Sequence, residues 1–252
     1  MSLLSSFLTQ SGVATTVFTS NGTFTATQSK MYLFMLQGGG GGGGAWSHSG
    51  TNLSSSAPGG GGGRYSVIPI YMTSGQTATV AIGAAGTGGT CVTTTTANTP
   101  PTAGGATTVT IGSIVYSAAG GGAAGNMIQM PGSVSLTLGG IGGGNTSTAA
   151  GAPSIVFGDS ESGANGLAQI SLATGGTSST FSDNPTSGLC QGGSSKLGKG
   201  GITLSMVTNG ATAPAGTGYG AGGAGAAYTA GATTIFYGYG GNGSPGICYV
   251  IG

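Results

Sequence analysis

Seven consecutive glycines at 38–44 follow directly on the apolar run "MYLFML", and further glycine blocks recur at 59–63, 120–122, 139–144 and from 218 onward. Glycine loses more backbone freedom on folding than any other residue, so such a block either stays a flexible tether or is held by dense contacts on all sides. Composition decides between the two. The chain holds 59 glycines and 9 prolines in 252 residues, in the low-complexity range. Disordered chains stay in solution by being charged and poor in apolar residues, whereas this one is 3% charged and 37% hydrophobic. A chain of that kind buries its surface or aggregates.

The apolar residues fall in strand-length runs between the glycine blocks. "GTFTATQSKMYLFMLQ" alternates and then condenses; "RYSVIPIYM" and "TATVAIG" flank a "TSGQ" turn; "TTVTIGSIVYSA" reads as two strands around Gly112-Ser113, a tight hairpin with glycine first. Strands are also expected at 134–138, 202–207, 233–239 and 247–251. No segment sustains a 3.6-residue apolar period. The predicted fold class is therefore all-β/irregular, with short strands, packed polyglycine II helices and almost no α-helix.

A polyglycine II helix has three residues per turn, rises about 3.1 Å per residue and points its backbone groups outward. One alone leaves those groups unpaired, but several side by side bond to one another, because only glycine lets backbones approach so closely. Gly38, Gly41, Gly44, Gly59, Gly62, Gly139 and Gly142 are the positions assigned to such helices. Seven residues would make a rod about 22 Å long.

Charge and motif content exclude several function classes. Lys30, Arg64, Lys196 and Lys199 stand against Asp159, Glu161 and Asp183, a formal net charge of +1. Nucleic-acid binding by counterion release has nothing to work with. The longest large-apolar run is far short of a bilayer span, so membrane insertion is not expected. The N-terminus has no positive n-region, and synthesis in a cytoplasm without a signal peptide is the expectation. "GSSKLGK" at 193–199 imitates a phosphate loop, but Gly200 stands where a Ser or Thr is required and no strand feeds it. The G-x-G-x-x-G at Gly220, Gly222 and Gly225 is uninformative, since about three such matches arise by chance at this glycine content. His48, the single histidine a Ser-His-Asp arrangement could use, reads as a loop residue with a structural or recognition role, and with only Asp159, Glu161 and Asp183 to supply an acid/base pair, glycosidase chemistry is not expected. Asp159 and Glu161 in "DSESG" lack a calcium-loop glycine pattern. Cys91, Cys190 and Cys248 have neither metal nor disulfide spacing and read as small buried hydrophobes. The chain is expected to be no enzyme and to use no cofactor and no metal.

What remains is a binding surface. The connections 45–58, 87–103, 126–131 and 180–191 are rich in Ser, Thr and Asn around isolated large residues, the composition of adaptable recognition loops on a rigid scaffold. Trp46, His48, Asn52, Met127, Met130 and Phe181 are the candidate contacts. For Trp46, packing beneath its own loop is the equal alternative.

The order "TFTATQSKMYLFMLQGGGGGGG", then "GRYSVIPIYMTSGQTATVAIGAAG", then repeated glycine blocks and a closing "GYGGNGSPGICYVI" resembles the glycine-rich domain of bacteriophage tail fibres, the tip adhesins of T-even-like phages among them. The resemblance covers roughly residues 17–252 and is tightest over 23–86. It implies a polyglycine II sandwich whose variable loops contact the host outer membrane, on a protein exposed on the virion. Residues 1–20, rich in Ser, Thr and Leu, are expected to dock on other virion proteins, with 21–252 as the glycine-rich domain. A host surface glycan or outer-membrane protein is the expected target, and a homo-oligomer such as a trimer is one arrangement of the chain. The other reading is a purely structural decoration or filament subunit whose loops touch neighbouring subunits.

Overall fold

The computed structural model describes residues 13–48, 55–91, 99–129, 134–137, 140, 169–172, 190–203, 210–228 and 236–252. Among them there is no helix. The base of the molecule is a sandwich of two four-stranded antiparallel sheets. One sheet runs Thr15–Phe18, Ile247–Ile251, Lys30–Gln37, Tyr65–Met72; the other runs Gly22–Thr25, Thr77–Ala81, Thr107–Ile111, Ile114–Ala118. The period-two pattern of "KMYLFMLQ" sends Tyr32, Phe34 and Leu36 inward, where they meet Ile70, Met72, Cys248 and Val250 of the same sheet and Val80, Val109 and Ala118 of the other. Each fully buried large side chain of this kind contributes about 1.5–3 kcal/mol. Phe24 closes the core edge-on to Tyr32 and Phe34, at centroid distances of 5.1 and 5.9 Å.

The two outer faces of the sandwich differ. Across the second sheet the outward row is Thr23, Thr79, Thr110, Val115, followed by Ala81, Thr108, Ser117. Across the first sheet the outward rows are Val17, Tyr249, Met35, Val67 and then Thr15, Ile251, Leu33, Pro69, with Met31 beside Tyr71, so that Thr15 at the edge is the one polar member. Threonines cover one face and large apolar side chains the other.

The "TSGQ" and Gly112-Ser113 turns fall where the sequence places them, with Gly75 at φ +83° and Gly112 at φ +60°. The chain enters the sandwich earlier than the expected boundary at residue 20. Thr15–Phe18 is an edge strand paired with Ile247–Ile251, and Ala14 and Gly252 exchange two 3.0 Å backbone bonds at its outer end. Residues 1–12 of the expected docking segment lie outside the described residues.

At the opposite end, six sandwich strands continue straight into glycine rods. Three lead out (38–44, 83–89, 119–125) and three lead back (58–64, 102–105, 240–246). The amides of 38–44 reveal the helix by where they go. Gly38, Gly41 and Gly44 donate to Arg64, Gly61 and Pro58; Gly39 and Gly42 to Gly105 and Thr102; Gly40 and Gly43 to Ser244 and Gly241, all at 2.9–3.0 Å. Their carbonyls follow the same rule: Gly39 and Gly42 accept from Gly121 and Ala124, Gly40 and Gly43 from Gly86 and Gly89, Gly41 and Gly44 from Gly223 and Ala226. A partner that changes with every residue and returns after three is the signature of three residues per turn.

Six segments thus surround 38–44, three antiparallel and three parallel to it, and they bond to one another as a closed ring. Rod 58–64 binds 119–125 through Gly61 to Gly122; Gly104 donates to Gly121; Gly105 to Ala84; Gly243 to Gly86; Gly241 to Ala224; and Gly60 donates to Gly223 to close the circuit. Going round, direction alternates at every step. The antiparallel sandwich sets that alternation, because neighbouring strands deliver neighbouring rods. Burial repeats with the same period: Gly83, Gly86 and Gly89 are buried, while Ala84, Thr87 and Thr90 are exposed.

Candidate functional site

The sandwich and the rods fix where the rest of the chain is displayed. Outgoing and returning rods end on the side remote from the sandwich, so 45–48, 55–57, 90–91, 99–101, 227–228 and 236–239 gather there. Trp46–His48 forms the centre of a three-stranded sheet at this tip, parallel to Met127–Gln129 and antiparallel to Phe236–Gly238. Four of the connections named from the sequence therefore contribute unequally to what can be seen. Residues 45–48, 90–91, 99–101 and 126–129 are placed together, whereas Asn52, Met130 and Phe181 lie outside the described residues, as do Gly139 and Gly142.

Trp46 does not serve as a surface contact. Its side chain is 1% exposed and packs among Ala57, Ala213, Ala224 and Ala226. Four methyl-sized neighbours leave the room an indole needs, and Gly238 stands opposite it in the sheet. Only Ala57 belongs to its own connection; the other three come from segments distant in sequence. His48 and Met127 are in the tip strands, in register with Phe236 and Trp46 respectively.

The polar side chains that hold the tip and the junction were not singled out by sequence. Asn126 accepts from the Ala45 amide at 2.9 Å and donates to the Thr99 carbonyl at 2.9 Å, tying three connections together. Asn242 accepts from the Gly88 amide at 2.8 Å. Thr90 and Thr99 exchange two backbone bonds of 3.0 Å. At the sandwich end, the buried Gln37 donates through Nε2 to the Gly63 and Arg64 carbonyls at 2.9 and 3.0 Å, and Thr107 donates to the Gln37 carbonyl while accepting from the Gly83 amide. Gln37, Asn126 and Asn242 each interrupt or border a glycine run. A polar residue there is a signal, because only a side-chain hydrogen bond can replace the lattice bond lost at a rod end.

The candidate motifs for chemistry dissolve into this scaffold. Gly193 of "GSSKLGK" donates to the Gly60 carbonyl, and Gly198–Lys199 pairs antiparallel with Thr217–Gly218. Gly220, Gly222 and Gly225 belong to the seventh rod, 220–226. Asp159, Glu161 and Asp183 lie outside the described residues. Arg64 is buried at the lattice base, where desolvation pulls its pKa below the ordinary value.

Cys91, Cys190 and Cys248 are all buried, and none is in a disulfide. Burial pushes the Cys248 thiol from 9.0 to about 12, and the Cys91 thiol to about 11 against a small opposing hydrogen bond from Ser47. The folded state keeps protons that the unfolded chain releases near pH 9. The stabilisation is therefore complete below about pH 9 and lost as pH climbs toward the folded values. A urea midpoint constant from neutral to about pH 9 and falling above it is expected, with no iodoacetamide labelling of either thiol in the folded protein at neutral pH. Rapid labelling of native protein would contradict the burial.

No curated protein matches the chain. A family model described as "Glycine-rich domain" matches residues 16–251, from the first sandwich strand through the last. The span of that match coincides with the strand-and-rod architecture, and the chain belongs to this glycine-rich domain family.

Proposed function

We propose that the protein is a bacteriophage fibre or adhesin component in which the glycine lattice is a rigid spacer that presents the tip connections to the host-cell surface. One observation carries the reading: the structure is polar along its length. Ala14 and Gly252 sit together at the base, the rods run away from it, and the described ends of the connections, 45–48, 90–91, 99–101 and 126–129, collect at the far end. Rods bonded on six sides cannot bend independently, so recognition groups at their ends are held in place at little ordering cost on binding. The resemblance of 23–86 to phage tail-fibre glycine-rich domains supports the same reading. Contacts would be weak individually and strengthened by several copies on one particle, with a surface glycan or outer-membrane protein as target and residues 1–12 facing the virion.

The apolar outer face of the first sheet favours a second reading, a structural virion subunit built to touch neighbours. Binding of fluorescently labelled protein to a panel of Gram-negative strains separates the two. The adhesin reading expects binding to some strain, abolished when 49–54 and 92–98 are replaced by Gly/Ser segments of equal length. Binding to no strain, or binding unchanged by those replacements, would leave the structural reading in place.

A further inference from the structure

We infer that the outer face of the first sheet is a self-association surface whose occupant is the same face of a second copy of the chain. Val17, Met31 and Tyr71 are 50, 53 and 60% exposed on it, and Leu33, Met35 and Tyr249 lie between them. Among the described residues no charged side chain of this sheet points outward: Lys30 shares the inward phase of Tyr32 and stands 5.5 Å from that ring. The second sheet, in the same position on the other side of the sandwich, presents threonines to water. The contrast marks the first face as one that meets a dry partner.

Three properties of the face select a second copy. Any occupant must be flat and apolar over a comparable area, must offer no charge, and must pack at sheet-to-sheet distance, about 10 Å. The identical face meets all three, in the isologous arrangement where one patch serves both sides. A formal net charge of +1 leaves no repulsion to hold copies apart. Four strands about 4.8 Å apart and three outward rows give a footprint of about 350 Å². That lies within the roughly 300–600 Å² of the largest apolar patch on a typical monomer, a patch that is often functional, and well below the roughly 800 Å² per partner of a standard stable interface. The association is therefore reversible, with copies separating on dilution.

Sedimentation velocity of the full chain from about 1 µM to about 1 mM reads this directly. The wild type is expected to shift from monomer toward dimer across the series. Met35→Glu and Met31→Lys are expected to remain monomeric with thermal midpoints near wild type, and Thr79→Glu, on the other face, to associate like the wild type. A wild type that stays monomeric throughout, or an association that Met35→Glu leaves intact, overturns the proposal. If removal of residues 1–12 converts a monomeric wild type into an associating one, the occupant is that segment and the proposal falls. If both forms stay monomeric, the face serves a different protein and it falls equally.

Discussion

Gly41→Ala is expected to abolish the lattice, costing at least about 3–5 kcal/mol and most of the soluble yield. A Cβ at Gly41 would meet the Gly122 carbonyl closer than the 3.0 Å that real Cβ atoms keep, and each of the other six glycines of 38–44 would strike the backbone of a parallel neighbour in the same way. Overpacking a core by one methyl usually costs about 1–3 kcal/mol because side chains move aside. Here the obstacle is a backbone carbonyl, and moving it breaks rod-to-rod hydrogen bonds worth about 1 kcal/mol each. Rod 38–44 has no free side to shift toward, since all six directions hold another rod. Ala84→Ser, at an exposed position of rod 83–89, is the matched control and is expected within about 0.5 kcal/mol of wild type. Thermal unfolding of the two variants is the measurement. A Gly41→Ala protein that melts with the wild type would mean that the rods are not close-packed.

The second large effect is expected at the tip. Trp46→Ala removes an indole that is 1% exposed and should cost about 3–5 kcal/mol through lost transfer energy and an unfilled cavity. The alanines around it have no longer side chains with which to close the space. The damage is expected to be local first. Amides near 45–46, 126–127 and 237–238 should exchange faster, while the sandwich core around Phe34 and Val109 keeps its protection. Residue-resolved hydrogen exchange distinguishes this from uniform destabilisation, in which all amides would lose protection together.

The sequence allowed the strands and the role of the glycine blocks to be read, because both depend on local periodicity. "KMYLFMLQ" alternates within eight residues, and seven glycines in a weakly charged chain leave few alternatives to a packed lattice. The ring was not legible. Which rod lies beside which depends on pairings such as Gly40 with Ser244, two hundred residues apart, and nothing in a glycine block distinguishes one partner from another. The information sits instead in the sandwich strands that feed the rods, whose register is fixed by which side chains face the core. At Trp46 the sequence leaves surface contact and packing as equal alternatives for a related reason. A lone aromatic beside Ser and His resembles an exposed contact until Ala57, Ala213, Ala224 and Ala226 converge on it from distant segments. Asn126 and Gln37 carry no local pattern, because their importance comes from hydrogen bonds to backbone groups of segments distant in sequence.

The three-residue turn imposes an arithmetic on change. A connection at the tip can lengthen by any number of residues, because both of its ends are already fixed by the rods. Within a rod, one added residue rotates everything after it by about a third of a turn. Inward positions reserved for glycine would then receive Ala or Thr, and every bond to the neighbours would point at the wrong segment. Length variation inside the lattice is therefore confined to multiples of three, matched in the rods alongside, while the tip is free to drift.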